Sequence, residues 1–381
     1  MNDVDVTRTT VIKAGNAFCL AGLDGELPDG THALGVYVDD CRHLSRYELR
    51  LNGLPPRLLV SSDEAGTAAV YELTNPDLRL SDGSTLPLQA LRVRRERRIT
   101  GDGLDEAIVL RSHHGEPVEL ELTLHLDADF APMLELRGML DPGKRTVERI
   151  ASDSELKLSA VGEDGWTRAT TIRCDGAEIG SDGTLRATVR LQPRDAHRLS
   201  LSCQFSATPP AESGPGPRTP SGMAVARQAV AEARSWLSDR ARLETDDELV
   251  DRIVRRSLLD LRMLISDLDG QPFVAAGVPW YATLFGRDSL ISALQVLAFD
   301  PPLAAGTLRL LAAYQGREVN DARDEQPGKI LHELRLGEVA NANLAPFARY
   351  YGTVDATALY LILLCRCVEW TGELELFNEL R

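Results

Sequence analysis

The sequence predicts a two-domain protein, an N-terminal antiparallel β-sandwich followed by a helical domain. Three observations carry this. Short period-two segments fill the first half, a proline- and glycine-rich stretch interrupts the chain at 208–222, and the apolar spacing beyond it becomes helical. A chain of 381 residues has room for two or three domains.

The strands come first. "GVYVDDCRHLSRYELRLNG" (35–53) holds short alternating segments that end in an Asn-Gly turn signal. "PVELELTLHLDADF" (117–130) places Val118, Leu120, Leu122, Leu124 and Leu126 at every second position, as a half-buried strand requires. "ATTIRC" (169–174), "GTLRATVRLQP" (183–193) and "HRLSLSCQFSA" (197–207) follow, separated by Asp-Gly and proline-rich turns. Many short strands with turns between them make a sandwich. Domain one is therefore 1–207. The stretch 208–222 cannot sustain a helix or a central strand and is the linker.

Helices come next, over 223–381. The first covers about 223–243. Thr245 with Glu248 three residues later is a capping-box signature, and Leu249, Val250, Ile253, Val254, Leu258, Leu261, Leu264 and Ile265 then recur on one helical face. Further helices are expected at about 288–299, 302–315 and 353–370. A last one starts near Glu373, with Leu374, Leu376, Phe377 and Leu380 on an apolar face that nothing later in the chain covers. The expectation is that this is the front part of something longer, a truncated helical domain.

Composition narrows the function. At 43% hydrophobic and 26% charged residues the chain is an ordinary globular protein. No apolar run reaches the roughly 18–20 residues that span a bilayer. The N-terminus "MNDVDVTRTT" lacks the basic start and apolar core of a secretory signal, so a cytoplasmic location is expected. A net charge of −15 argues against nucleic acid and against acidic membrane surfaces as partners, and suits a neutral, hydroxyl-rich ligand. Cys19, Cys41, Cys174 and Cys203 are scattered, and Cys365 and Cys367 point to different helix faces. The adjacent His113 and His114 form no ligand pattern. No metal and no organic cofactor is expected.

Two stretches between the helices could carry chemistry. "GVPWYATLFGRDSLIS" (277–292) sets Trp280, Tyr281 and Phe285 beside Arg287 and Asp288. Sugars stack their C–H faces on aromatic rings, and an Arg-Asp pair offers fixed donors with acceptors for neighbouring hydroxyls. A purely structural role is open too, with Asp288 capping the helix and Arg287 pairing with it. The second stretch, 320–355, concentrates Lys329, His332, Glu333, Arg335, Glu338, Tyr350, Tyr351 and Asp355. Arg335 and Glu338 also fit a solvated pair on a helical turn. Asp355 admits two readings. With Thr353 as N-cap it is an acid in the first turn, favoured by the helix dipole. As a catalytic acid it needs burial or a neighbouring carboxylate to counter that dipole and keep its proton.

"WYATLFGRDSLIS", "PGKILHELRLGE" and "YYGTVDATALY" together resemble the helical-barrel catalytic domain of bacterial amylo-α-1,6-glucosidase or glycogen-debranching-type proteins. "GVYVDDCRHLSRYELRLNG" and "HLDADFAPMLELRG" resemble the β-sandwich that precedes that barrel. The resemblance implies an incomplete (α/α)6 barrel after the sandwich and inverting hydrolysis of an α-glucosidic bond by two carboxylates. It implies Asp355 as the proton donor, with Arg287 and Asp288 holding hydroxyls of the terminal glucose. Trp280, Tyr281, Phe285, Lys329, His332, Glu333, Tyr350 and Tyr351 would line the pocket. The general base is expected beyond this chain, so the chain alone is expected to lack activity unless Glu333 or Glu338 supplies the second carboxylate. The expected partners are an α-glucan or oligosaccharide and the missing half of the barrel. The same barrel type also admits other α-glucosides, trehalose or a glucosylglycerate, and a chain that only binds glucan.

Overall fold

Alternation builds the first half. The structure, a computed structural model, describes residues 8–30, 32–63, 65–152, 154–210, 225–345 and 348–380. The chain divides into two units, Met1–Lys13 with Ala17–Ala231, and Ala14–Asn16 with Glu232–Arg381. Of the expected linker, residues 211–222 lie outside the described residues.

The first unit is a β-sandwich. An eight-stranded sheet runs Glu148–Ser152, Glu155–Val161, Thr167–Asp175, Ala196–Thr208, Gly103–Ser112, Leu91–Thr100, Ala68–Thr74, Arg57–Ser62, with every neighbouring pair antiparallel. A four-stranded antiparallel sheet orders Glu178–Ile179, Thr184–Leu191, Val118–Asp127, Arg46–Leu51. In Val118–Asp127 the alternating Val118, Leu120, Leu122, Leu124 and Leu126 are all buried, while Glu119 and Glu121 face solvent. The Asn52-Gly53 pair closes a two-residue loop, with Leu51 and Leu54 exchanging backbone hydrogen bonds at 2.8 and 3.0 Å. The strand Cys41–Leu44, of a further four-stranded sheet, meets the eight-stranded sheet through side chains. The Thr170 hydroxyl donates to the His43 carbonyl at 2.7 Å, and the His43 ring lies 5.3 Å from Phe205 and 5.5 Å from Phe130.

The interior of this unit is not purely apolar. Arg95 and Arg97, alternate residues of Leu91–Thr100, are fully buried. Their Nε atoms donate to the two oxygens of Glu106 at 2.6 and 2.7 Å, and Arg95 also pairs with Glu26. Both guanidinium groups lie over the Tyr47 ring, at 5.3 and 4.6 Å from its centroid.

The second unit is helical. Helices α2 Val225–Ser238, α3 Glu248–Leu264, α4 Gly286–Val296, α5 Pro301–Ala313, α6 Glu338–Asn341, α7 Ala356–Thr371 and α8 Leu374–Leu380 follow a single turn of helix, α1 Met133–Leu136, in the sandwich. The two prolines at the start of α5 fit because the first turn has no N–H partner to lose. α4, α5, α7 and α8 share a core of Leu290, Leu297, Leu308, Leu311, Leu363 and Leu376.

Three expectations are corrected here. The N-cap of α3 is Asp247, whose side chain accepts from the Leu249 N–H at 2.8 Å. Thr245 instead bonds Asp251, so the capping box does not form. The helical pattern carried to Ile265 stops at Leu264. Ile265–Leu268 pairs with Gln271–Val274 as a hairpin turned by Asp269-Gly270. The apolar face of α3 is not packed along its length. Leu249 and Ile253 are 55% exposed, and only the far end, at Leu261 and Leu264, packs on Val274, Val296 and Leu303. No described helix is long and apolar enough to cross a membrane.

Candidate functional site

A small knot of backbone brings the two chemistry-bearing stretches together. Leu284–Phe285 pairs antiparallel with Glu333–Leu334, and Tyr350 bridges Glu333 on its other side. The Glu333 and Tyr350 backbones exchange hydrogen bonds at 3.0 and 3.2 Å. Immediately after Phe285 the chain turns into α4. Gly286 donates its N–H to the His332 carbonyl, and a Cβ at this position would lie 2.1 Å from the Leu331 carbonyl oxygen and 3.4 Å from the Ala356 Cβ. Only glycine allows so close an approach. The start of α4 is thereby seated against the start of α7.

That seating sets Arg287 beside Asp355. Nη1 of Arg287 stands 3.2 Å from Oδ2 of Asp355, with the side chains 46% and 34% exposed. An ion pair this exposed is worth about 0–1 kcal/mol. Asp355 is itself the N-cap residue of α7, where Thr353 was expected. The Thr353 hydroxyl donates to Oδ1 of Asp355 at 2.5 Å instead. This hydrogen bond first, and then the Arg287 charge, hold the Asp355 carboxyl below the usual carboxylate range. Neither the burial nor the neighbouring carboxylate that a proton-holding acid needs is what surrounds it. Asp288 lies in the first turn of α4 but does not cap it. The N-cap is Phe285, and Arg287 pairs across to Asp355.

The aromatic residues form a row. Tyr281 meets Phe285 edge-on with centroids 5.7 Å apart, Phe285 meets His332 at 5.7 Å, and His332 meets Tyr350 at 5.9 Å. Tyr281 is exposed, Phe285 is buried, and Trp280, His332 and Tyr350 are half-buried. The Tyr350 hydroxyl donates to Asp324 at 2.7 Å, which raises its own pKa, and a Cβ on Gly352 would collide with that hydroxyl. Asp324 is a site neighbour that sequence reading missed. Its own carbonyl accepts from Lys329 Nζ at 2.7 Å.

Two expectations about the second stretch are corrected. Tyr351 belongs to the core, 1% exposed, its hydroxyl bonded to the Tyr314 carbonyl. It packs inward because its neighbour Tyr350 takes the outward position. Arg335 and Glu338 are not a solvated pair, since each is 3% exposed. Arg335 donates to Glu333 at 2.5 Å and to the Trp280 carbonyl at 2.8 Å, with its guanidinium 6.0 Å from the Phe285 centroid. Glu333 is therefore engaged inside a buried ion pair rather than free to act on water. Arg287 and Asp355 thus offer donors and an anionic acceptor, and Tyr281 is the exposed ring of the row that continues into Phe285. Among the described residues no group of three or more His, Cys, Asp or Glu side chains could hold a metal ion.

Residues 12–202 match a family described as the N-terminal domain of (some) glycogen debranching enzymes. No curated protein matches the chain. Solved structures similar to it include a galactose mutarotase-like protein from Lactobacillus casei, at 7% identity over 52% of this chain and 100% of that chain, with a TM-score of 0.30. Another is a galactose mutarotase-like protein from Clostridium acetobutylicum, at 8% identity over 55% of this chain and 98% of that chain, with a TM-score of 0.28.

Proposed function

The chain belongs to the family that carries the N-terminal domain of (some) glycogen debranching enzymes, and from that premise we propose that it acts in α-glucan debranching, as an amylo-α-1,6-glucosidase. In this reading residues 1–207 are the debranching-type sandwich, and the helices of the second unit are the first part of an (α/α)6 barrel. Asp355 gives its proton to the glycosidic oxygen, Arg287 and Asp288 hold hydroxyls of the terminal glucose, and the Tyr281–Phe285–His332–Tyr350 row stacks against the sugar. One observation carries this reading. Arg287 and Asp355, from two stretches far apart in sequence, stand 3.2 Å apart at the starts of two helices seated on the same knot of backbone. A neutral, hydroxyl-rich substrate also suits a chain of net charge −15.

Inverting hydrolysis needs a second carboxylate about 6.5–9.5 Å from the acid. Glu333 is a poor candidate for it, being tied to Arg335. The test is glucose release from an isomaltooligosaccharide by a full-length form that also supplies the second carboxylate. Asp355→Asn should reduce the rate by about 10²–10⁴-fold, and full activity in that variant refutes the assignment. A second reading, glucan binding without hydrolysis, is favoured by the depressed carboxyl of Asp355. Calorimetric binding of maltooligosaccharides with no glucose released selects it. A panel including trehalose and a glucosylglycerate separates the neighbouring substrates.

A further inference from the structure

The free chain favours the ionised form of Asp355, and two of the groups that stabilise this charge are side chains that a sugar can engage. The Thr353 hydroxyl spends its proton on Oδ1 at 2.5 Å, and Arg287 stands on Oδ2 at 3.2 Å. Neither is locked in place. Arg287 is 46% exposed, and Thr353 is half-exposed on the approach to α7. A hydroxyl that accepts from Thr353, and a hydroxyl pair that takes the guanidinium, would draw the two side-chain donors off the carboxylate and leave it the backbone N–H groups at the start of α7. We propose that Thr353 is a positioning residue that, with Arg287, sets the charge of Asp355, and that a glucan engaging these two donors lets Asp355 take up a proton from solvent.

The proposal rests on the reading of this surface as a glucan site. The other charged or titratable groups around the start of α7 come from the segment packed against it and from α4. From the segment packed against it, Lys329 is held on the Asp324 carbonyl, His332 sits in the ring row, and Glu333 is paired with Arg335. From α4, Asp288 is the remaining charge, in the first turn. The first turn of α7 carries no acid. The two side-chain donors on the carboxylate are thus the groups whose displacement a ligand can bring about. Each is the side chain of a residue that can be exchanged singly. Proton uptake on binding carries a definite sign. Affinity for a neutral sugar rises as pH falls from the ionised range of the free carboxylate toward the pKa of the bound one.

Two measurements on the full chain test this, and they fail separately. Carbon-13 NMR of the Asp355 carboxyl, without ligand, gives its titration midpoint in the native chain and in Thr353→Val and Arg287→Gln. Each variant should raise the midpoint by about half a pH unit or more. Unchanged midpoints overturn the assigned role of the two donors, and the two variants check each other should either fail to fold. Titration calorimetry with isomaltotriose between about pH 3.5 and pH 7 should then show affinity strengthening about two-fold or more toward low pH, as a carboxyl returned to the ordinary range of about 3.9 takes up its proton. The pH slope should be weaker in Thr353→Val. Binding with no pH slope in the native chain overturns the coupling while leaving the glucan site intact. No binding at any pH overturns the glucan reading and the coupling with it, while the NMR midpoints still decide whether the donors control the carboxylate.

Discussion

Gly286 and Gly352 are both crowded glycines, and the difference between them is instructive. A Cβ on Gly352 would meet the hydroxyl end of Tyr350, a side chain that can swing away. A Cβ on Gly286 would meet the Leu331 carbonyl oxygen at 2.1 Å, and that oxygen belongs to backbone tied down by its neighbours. Gly286→Ala should therefore push α4 away from α7 and cost about 1–3 kcal/mol, as overpacking does. It should also separate Arg287 from Asp355. Gly352→Ala should cost less stability and act mainly on the Tyr350–Asp324 hydrogen bond. Urea midpoints of the two variants decide the order, and a Gly286→Ala variant as stable as the native chain would remove the argument for why these helix starts meet.

Among the elements, α3 shows how a cap is chosen. Thr245, Asp247 and Glu248 all suit a helix start, and the sequence alone favours the Thr-x-x-Glu box. The chain uses Asp247, because Thr245 is drawn to Asp251. Asp247→Ala should lower stability by about 0.5–2 kcal/mol, and Glu248→Ala by less, in chemical denaturation followed by far-UV circular dichroism. The reverse order would restore the capping box. The same ambiguity recurs at α7, where Thr353 and Asp355 are both good caps two residues apart; the helix begins at Asp355, and its carboxylate accepts from the Thr353 hydroxyl. Long elements were legible because they repeat. Val118–Asp127 shows five alternating apolar residues, and α7 a run of them. Leu284–Phe285 and Glu333–Leu334 were not, since a two-residue strand holds no period and exists only through a partner far along the chain. The site followed the same rule. Its residue types were visible in two stretches, whereas the engagement of Glu333 by Arg335, the inward turn of Tyr351 and the part played by Asp324 depend on that unseen pairing.

At the scale of the molecule, charge inside the first unit should decide how the protein answers acid. Leu91–Thr100 keeps the alternation of a half-buried strand, but its inward positions include Arg95 and Arg97 beside Val93 and Ile99. Read alone, that segment is polar. Burial becomes tolerable because Glu106, on the neighbouring strand, accepts from both guanidinium groups, with Glu26 as a second partner of Arg95. Burial by itself would raise the Glu106 carboxyl, but Arg95 and Arg97 outweigh it and bring the group down to about 2. Its contribution is therefore present above the unfolded value of about 4.3 and is lost as pH falls through about 2. His43 adds an earlier loss. Burial, with Arg168 nearby, lowers it to about 3, so the folded chain keeps it neutral while the unfolded chain protonates it near 6.5. Stability drawn from His43 should thus decline from about pH 6.5 downward. Peptide-resolved hydrogen exchange on the full chain should show Leu91–Thr100 and Gly103–Ser112 losing protection as pH is lowered through these two ranges, after correction for the intrinsic rate. Glu106→Gln should cost about 3–5 kcal/mol at neutral pH, because it takes the counter-charge from buried Arg97 and leaves Arg95 with Glu26 alone. It should also flatten the lower range, whereas His43→Asn should flatten the upper one. An acid response unchanged in both variants would mean that the charges of this interior do not govern how the sandwich unfolds.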